Sequence, residues 1–333
     1  MSGIRVNPVD RHSRIIGVGG YRPARVVPNA DIVAKIESSD EWIQTRSGIS
    51  ARRIAGPEET VVAMSVEAAG KALAHAGVQP EQVGAIIVAT VSHLYQTPAA
   101  AAEIAEKVGA HGTAAFDISA ACAGFCYGVS LGSDMVRAGT AQYVLVIGVE
   151  RLSDLTDSFD RSTAFLFADG AGAAVIGPSD TAGIGPVVWG SDGTQLDLIR
   201  QQESWMEAFT KDRPEWPHLR MVGNKVFKWA AFEMAKVAQQ ALDAAGVTAD
   251  QLNAFIPHQA NMRITDAMAR ALKLPEHILI ARDIAEQGNT SAASIPLAME
   301  AMIETGQVKS GDLALLIGFG AGLVYAAQVV TIP

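Results

Sequence analysis

Cysteine is nearly absent from this chain: among 333 residues only Cys122 and Cys126 occur, both within the stretch DISAACAGFCYG, Asp117 to Gly128. Four residues apart on a helix, they would point from one side in directions that suit neither a disulfide nor a closed metal site, so two reduced thiols are expected. Positive charge is also short. Lysine and arginine number 26 against 35 acidic residues, giving a net charge of -9 and a pI near 5.3. That balance disfavours nucleic acid as a main partner, because phosphate recognition needs a dominant basic surface. No segment runs the roughly 18 apolar residues of a membrane span, and the opening MSGIRVNPVDRHSR lacks the apolar core of a secretory leader. A cytoplasmic protein with no membrane partner is expected. There is no P-loop, no HExxH and no CxxC pair, and GFGAGL near the C-terminus is spaced GxGxG and precedes a strand-like run, unlike a dinucleotide fingerprint. No metal or redox cofactor is expected.

What is present suits a folded α/β protein: 49% hydrophobic residues, 18% charged and 31 glycines. The chain also repeats itself. ALAHAGVQPEQVGAIIVAT at Ala72 recurs as ALDAAGVTADQLNAFIPHQ at Ala241, and YVLVIGVE at Tyr143 recurs as LALLIGFG at Leu313, intervals of 169 and 170 residues. Each copy of the first pair reads as a helix end, a glycine stop, a short polar loop and an apolar strand. Two halves, 1–182 and 183–333, each with alternating strands and helices around a buried sheet, are expected. The duplication maps Cys122 close to residue 291, beside GNTSAAS. Two small-residue loops then become related helix starts facing a common centre. The apolar stripes that follow them (Phe125, Val129, Leu131, Met135 and Ile295, Leu297, Met299, Met302) read as core.

A cysteine at a helix start meets the positive end of the helix dipole, which favours the thiolate, and the small neighbours of Cys122 leave room for a carbonyl and free N–H groups for an oxyanion. The stretch alone fits a small packed cysteine equally well, and Cys126, one turn further on, reads as core. Of seven histidines six lie in charged or loop-like surroundings. His258 differs, because it follows the apolar strand Ala254-Phe255-Ile256 where Pro257 ends the ladder, a usual place for catalytic groups in α/β sheets. Asn289, at a loop-to-helix junction, reads by itself as a helix cap. The glycines of GFGAGL allow close approach of backbone to a bound group.

Taken in order, SSDEWIQTRSGI, DISAACAGF, IPHQAN, GNTSAASIP and GFGAGL resemble β-ketoacyl-acyl-carrier-protein synthase III, actinobacterial members in particular, over nearly the whole chain. The resemblance implies a thiolase-like α/β fold of αβαβα layers built from two duplicated halves. It implies an acyltransferase that moves an acyl group from acyl-CoA to Cys122, then joins it by decarboxylative Claisen condensation to malonyl-acyl-carrier protein, starting fatty acid synthesis. Cys122, His258 and Asn289 become the catalytic triad, with the N–H groups of Cys122 and Ala321 as oxyanion hole. Trp42, Arg46, Arg161 and Asn261 become CoA-binding residues, although Trp42 without the resemblance reads as helix packing. Phe319 and Thr97 fall at the acyl pocket, Thr97 where acetyl-selective relatives carry a bulky Phe that reaches into the partner subunit. A small residue there implies a roomier pocket, and the contribution across an interface implies a homodimer.

Lys225, Lys228, Arg263 and Arg270 could supply local positive charge for an acidic carrier protein, and solvated helix faces explain them as well. Ala121 departs from the glycine of many members, a methyl that should be tolerable. The Ala-Cys-Ala-Gly-Phe-Cys run also looks like members that prime polyketides. A degradative thiolase would need a second cysteine at GFGAGL, and elongating condensing enzymes use a second histidine where Asn289 stands. A Cys-His-Asn hydrolase of acyl-CoA and a non-catalytic acyl-CoA binder are the rivals from other classes.

Overall fold

The computed structural model describes residues 11–333; the first ten residues of the N-terminal stretch read for a leader lie outside the described residues. Strands β1 (His12–Tyr21), β2 (Val83–Ala89), β3 (Ala114–Ile118), β4 (Tyr143–Arg151) and β5 (Asp169–Ser179) form one sheet in the order β1-β5-β4-β2-β3. Strands β6 (Val188–Ser191), β7 (Ala254–Pro257), β8 (Leu279–Ile280), β9 (Leu313–Gly320) and β10 (Val324–Thr331) form a second, in the order β6-β10-β9-β7-β8. The orders are the same strand for strand. The pairings are too: the outer antiparallel β1/β5 and β5/β4 and the parallel β4/β2 and β2/β3 recur as β6/β10, β10/β9, β9/β7 and β7/β8.

The principal helices of the described chain are α1 (Asp40–Ser47), α2 (Val61–Ala76), α3 (Ala100–Val108), α4 (Gly124–Arg137), α5 (Gly223–Ala245), α6 (Met262–Ala271) and α7 (Ser294–Glu304). Helices α2 and α3 cover the outer face of the first sheet, and α5 and α6 that of the second. Between the sheets lie α4 and α7, whose Phe125, Val129, Ile295 and Met299 share one core with residues of both sheets. The result is the thiolase-like αβαβα stack. Because both faces of each sheet are covered, the central strands read as continuous apolar runs, with Val144 to Ile147 fully buried in β4. Helices α2 and α5 end as the sequence indicates, at Gly77 and Gly246, both in the left-handed region with φ of 64° and 65°.

The two central helices begin alike. Each is preceded by a single tight turn, Ala121–Ala123 before α4 and Ser291–Ala293 before α7. The first residue of each turn is a non-glycine with positive φ, Ala121 at 44° and Ser291 at 48°. These two are symmetry mates, so Cys122 corresponds to Ala292. The methyl of Ala121 is accommodated, but in a backbone region that disfavours any side chain. The turns insert reciprocally: Gly148 on β4 lies against the Ala292 carbonyl, and Gly318 on β9 lies against the backbone of Cys122 and Ala123.

A methyl group at Gly148 would collide with the Ala292 carbonyl, whereas one at Gly70, on the open face of α2, meets nothing within 4 Å. Gly148→Ala should therefore lower stability by about 1–3 kcal/mol, and Gly70→Ala should raise it by roughly 0.5–1 kcal/mol. Urea unfolding of the two variants beside the parent protein measures both signs.

Candidate active site

Cys122, His258, Asn289, Phe319 and Ala321 line one cavity of about 570 Å³, which reaches from the junction of the two halves out to Trp42 and Arg46. Cys122 stands at the second position of its turn, ahead of α4, with its own backbone N–H directed to the sulfur. Glycines of β9 back onto it. A Cβ at Gly320 would lie 2.9 Å from the Cys122 Cβ and 3.0 Å from its Sγ, and one at Gly318 would lie 2.9 Å from its carbonyl oxygen. The close approach that GFGAGL allows is made to the cysteine's own turn, and Phe319, Gly320 and Ala321 also face the cavity.

His258 follows the end of β7 and is buried, its backbone N–H donating to the Ile317 carbonyl at 2.7 Å. Its Nδ1 lies 2.7 Å from Ser294 Oγ at the start of α7, and Phe319 packs edge-on against the ring at 5.4 Å. With Nδ1 engaged, Nε2 is the nitrogen left for the cavity. Asn289 is buried too, its backbone pinned between Leu166 and Ala168. Its Oδ1 accepts the Ser291 N–H at 2.9 Å, a local bond made one residue ahead of the Thr290 cap position, so Asn289 ties the turn down without being the helix cap its sequence suggests. That same bond fixes the amide flip and leaves Nδ2 as a donor.

Burial dominates the electrostatics. It pushes the Cys122 thiol up to about 12, against the opposing pull of a hydrogen bond from the Ser291 side chain. Desolvation thus works against the thiolate that a helix start favours. Burial alone brings His258 down to about 3. The imidazole is therefore neutral at rest. Cys126, fully buried in the central core, is likewise pushed up to about 12 and is a packing residue.

The mouth is built by α1. Ser39 caps it, Asp40 and Glu41 occupy its first turn and Gly48 ends it. Trp42 and Arg46, one turn apart, then share a face, with the Arg46 and Arg161 guanidinium carbons 5.8 and 4.9 Å from the Trp42 ring centroid. Phe165 holds the Trp42 edge at 5.4 Å.

The chain matches two family descriptions, 3-oxoacyl-[acyl-carrier-protein (ACP)] synthase III over residues 116–193 and its C-terminal counterpart over residues 242–332. It is 60% identical to beta-ketoacyl-[acyl-carrier-protein] synthase III 1 of Streptomyces coelicolor, with 100% of each chain covered. It is 53% identical to the mycobacterial enzyme of Mycobacterium avium, over 96% of this chain and 95% of that one. The chain belongs to the β-ketoacyl-acyl-carrier-protein synthase III family. Among solved structures, the priming β-ketosynthase of the R1128 polyketide pathway superposes with a TM-score of 0.98 at 47% identity, covering 100% of this chain and 99% of that one. The synthase III of Pseudomonas aeruginosa superposes at 0.90 with 37% identity, covering 97% and 99%.

The remaining expected positions of this synthase III chain are spread along the channel and its surroundings. Asn261 and Arg263 line the cavity, and the Asn261 amide is committed to the Arg46 carbonyl at 2.9 Å and to the Arg263 N–H at 2.9 Å as the cap of α6. Lys225 and Lys228 are exposed on α5, on the turns whose Val226 and Phe227 line the cavity, while Arg270 is exposed at the far end of α6. Thr97 is exposed and does not reach the cavity of its own chain. Sequence reasoning missed Ser291, Ser294 and the buried Glu150. The one available signal was the carboxylate ending the apolar strand YVLVIGVE.

A lowered imidazole pKa means that folding holds His258 neutral, so its contribution to stability is full above the unfolded value near 6.5 and is lost as pH falls toward about 3. The His258 carbon resonance should accordingly stay unchanged between pH 5 and 8 in an NMR titration. An inflection near pH 6.5 would contradict the burial argument.

Proposed function

We propose that this synthase III transfers an acyl primer from acyl-CoA to Cys122 and condenses it with malonyl-acyl-carrier protein to give a 3-oxoacyl product, initiating fatty acid synthesis in the cytoplasm. The observation that carries the reading is the convergence of Cys122, His258 and Asn289 on one channel with an aromatic and cationic mouth. In the first half-reaction the Cys122 sulfur attacks the thioester carbonyl and CoA leaves. The oxyanion is held by the N–H groups of Cys122 and Ala321. In the second, malonyl-acyl-carrier protein loses carbon dioxide. The charge that develops on its thioester oxygen is met by His258 Nε2–H and Asn289 Nδ2–H, donors that serve because the imidazole is neutral. The resulting carbanion attacks the acyl-Cys122 carbonyl and the sulfur is released. No step calls for a metal or redox group, and a hydrolase would need a general base positioned for water.

Trp42, Arg46 and Arg161 take the CoA nucleotide, with Asn261 and Phe319 along its arm. Lys225, Lys228, Arg263 and Arg270 meet the acidic carrier. The enzyme works as a homodimer, with Thr97 in the partner's acyl pocket. The edge position of β3 with its exposed Phe116, and the exposed Leu94 and Tyr95 on the loop that carries Thr97, support that pairing. The two halves, 1–182 and 183–333, are read as copies of one unit, supported by their common strand order. Priming of a polyketide is a second reading, favoured by the likeness to the R1128 priming enzyme. It uses the same chemistry with a different primer and carrier.

Intact mass after mixing with acetyl-CoA, isobutyryl-CoA and a longer acyl-CoA tests the acyl-enzyme. One acyl adduct is expected, absent in Cys122→Ala; no adduct from any donor would overturn the mechanism. If Thr97 leaves the pocket roomy, isobutyryl should compete evenly with acetyl. A strong preference for acetyl would refute the roomy pocket. Charge reversal at Arg263 should weaken carrier binding about tenfold and flatten its salt dependence, read by titration calorimetry.

A further inference from the structure

Beside the cysteine lies a carboxylate that the mechanism above leaves unused. Glu150, the penultimate residue of β4, is fully buried. Its Oε2 accepts from Ser92 Oγ at 2.6 Å, from the Val91 N–H at 3.1 Å and from Thr90 Oγ1 at 3.3 Å. Its Oε1 accepts from Ser291 Oγ at 3.2 Å. Ser291 comes from the other half, lines the same cavity as Cys122 and brings its hydroxyl close to the Cys122 sulfur. One hydroxyl therefore stands between the sulfur and a buried carboxylate, and the left-handed backbone of Ser291, φ 48°, aims it there. Other charged groups nearby are committed elsewhere: Arg151 to Asp154, Asp169 to Ser153 and the Ala55 N–H, and Asp117 to the N–H groups of Ala100 and Ala101.

We propose that Glu150 is a positioning residue for acyl transfer, taking the Cys122 thiol proton by way of the Ser291 hydroxyl as the sulfur attacks. The proposal rests on the reading of Cys122 as acyl acceptor. The Cys122 S–H bond breaks as a new O–H forms on Ser291, whose original proton passes to Glu150 Oε1. The sulfur electron pair forms the C–S bond, and the carbonyl π pair becomes the oxyanion. When that adduct collapses, the bond to CoA breaks, and the proton returns through the same hydroxyl to the departing CoA sulfur. Glu150 ends ionised and CoA ends as its thiol. The titration of the groups agrees with this role: the thiol near 12 needs a base at neutral pH, His258 near 3 is a poor one, and burial raises Glu150 to about 7.

The test is the single-turnover rate of acylation by acetyl-CoA, followed by intact mass from pH 5.5 to 8.5, for the parent protein, Glu150→Gln and Ser291→Ala. The parent rate should fall as pH drops below about 7. Both variants should acylate about a hundredfold more slowly, with unchanged half-saturation for acetyl-CoA and no fall at low pH. Acylation within about threefold of the parent, or retention of the low-pH fall, overturns the proposal. Should Glu150→Gln not fold, Ser291→Ala decides alone, since Glu150 keeps its bonds from Thr90, Val91 and Ser92. A parent protein that takes no acyl group would instead refute the acyl-enzyme reading itself.

Discussion

Everything at the centre of this molecule depends on how closely two tight turns approach two strands. The turn that carries Cys122 presses on β9 of the opposite half, and the turn of Ala292 presses on β4; only glycine at positions 318 and 148 leaves room. Each contact is backbone against backbone, with no side chain to adjust. The separation of the halves is therefore fixed by covalent dimensions, as in any close-packed interior. Side chains carried on the turns, Cys122 and Ser291 above all, inherit that precision without needing rigid rotamers of their own.

The same burial sets the chemistry. A site assembled between two sheets is poor in water, and the cost of charge there falls on each group in proportion to its isolation. The imidazole is held neutral, a state that suits a donor meeting negative charge without carrying any of its own. Glu150 escapes the full penalty because it gathers hydrogen bonds from one short loop and from Ser291. The mouth obeys opposite rules. Arg46 and Arg161 remain exposed and charged, and they gain hold by lying on the Trp42 ring.

Much of this was legible in the residues. The interval between repeated segments indicated two equivalent halves, and the common strand order and matching turns are what such a duplication produces. His258 was legible because Pro257 ends an apolar strand, and the helix stops at Gly77 and Gly246 because glycine alone takes those backbone angles freely. The convergence of Cys122, His258 and Asn289 was not legible from any one segment. It needed the resemblance, because facing across a pseudo-symmetry centre is a property of tertiary packing. Desolvation at Cys122 was hidden for the same reason: a helix start is visible in sequence, but the β9 backbone laid over it is not. Glu150 and Ser291 stayed hidden because each has meaning only through the other half.

The reciprocal insertion of the turns also bears on how the protein is born. The sulfur is contributed by residue 122, but the strand that closes over it, β9, runs from Leu313 to Gly320, near the end of synthesis. The inner face of the first sheet, complete at Ser179, is covered by α4 of its own half and, over β1 and β5, by α7, Ser294–Glu304, which is made much later. A ribosome-bound first half therefore displays a greasy surface and a cysteine without its imidazole or amide. Apolar surface left exposed in this way is what makes partly folded chains prone to aggregate, and Cys122 lacks its final surroundings until translation is nearly over.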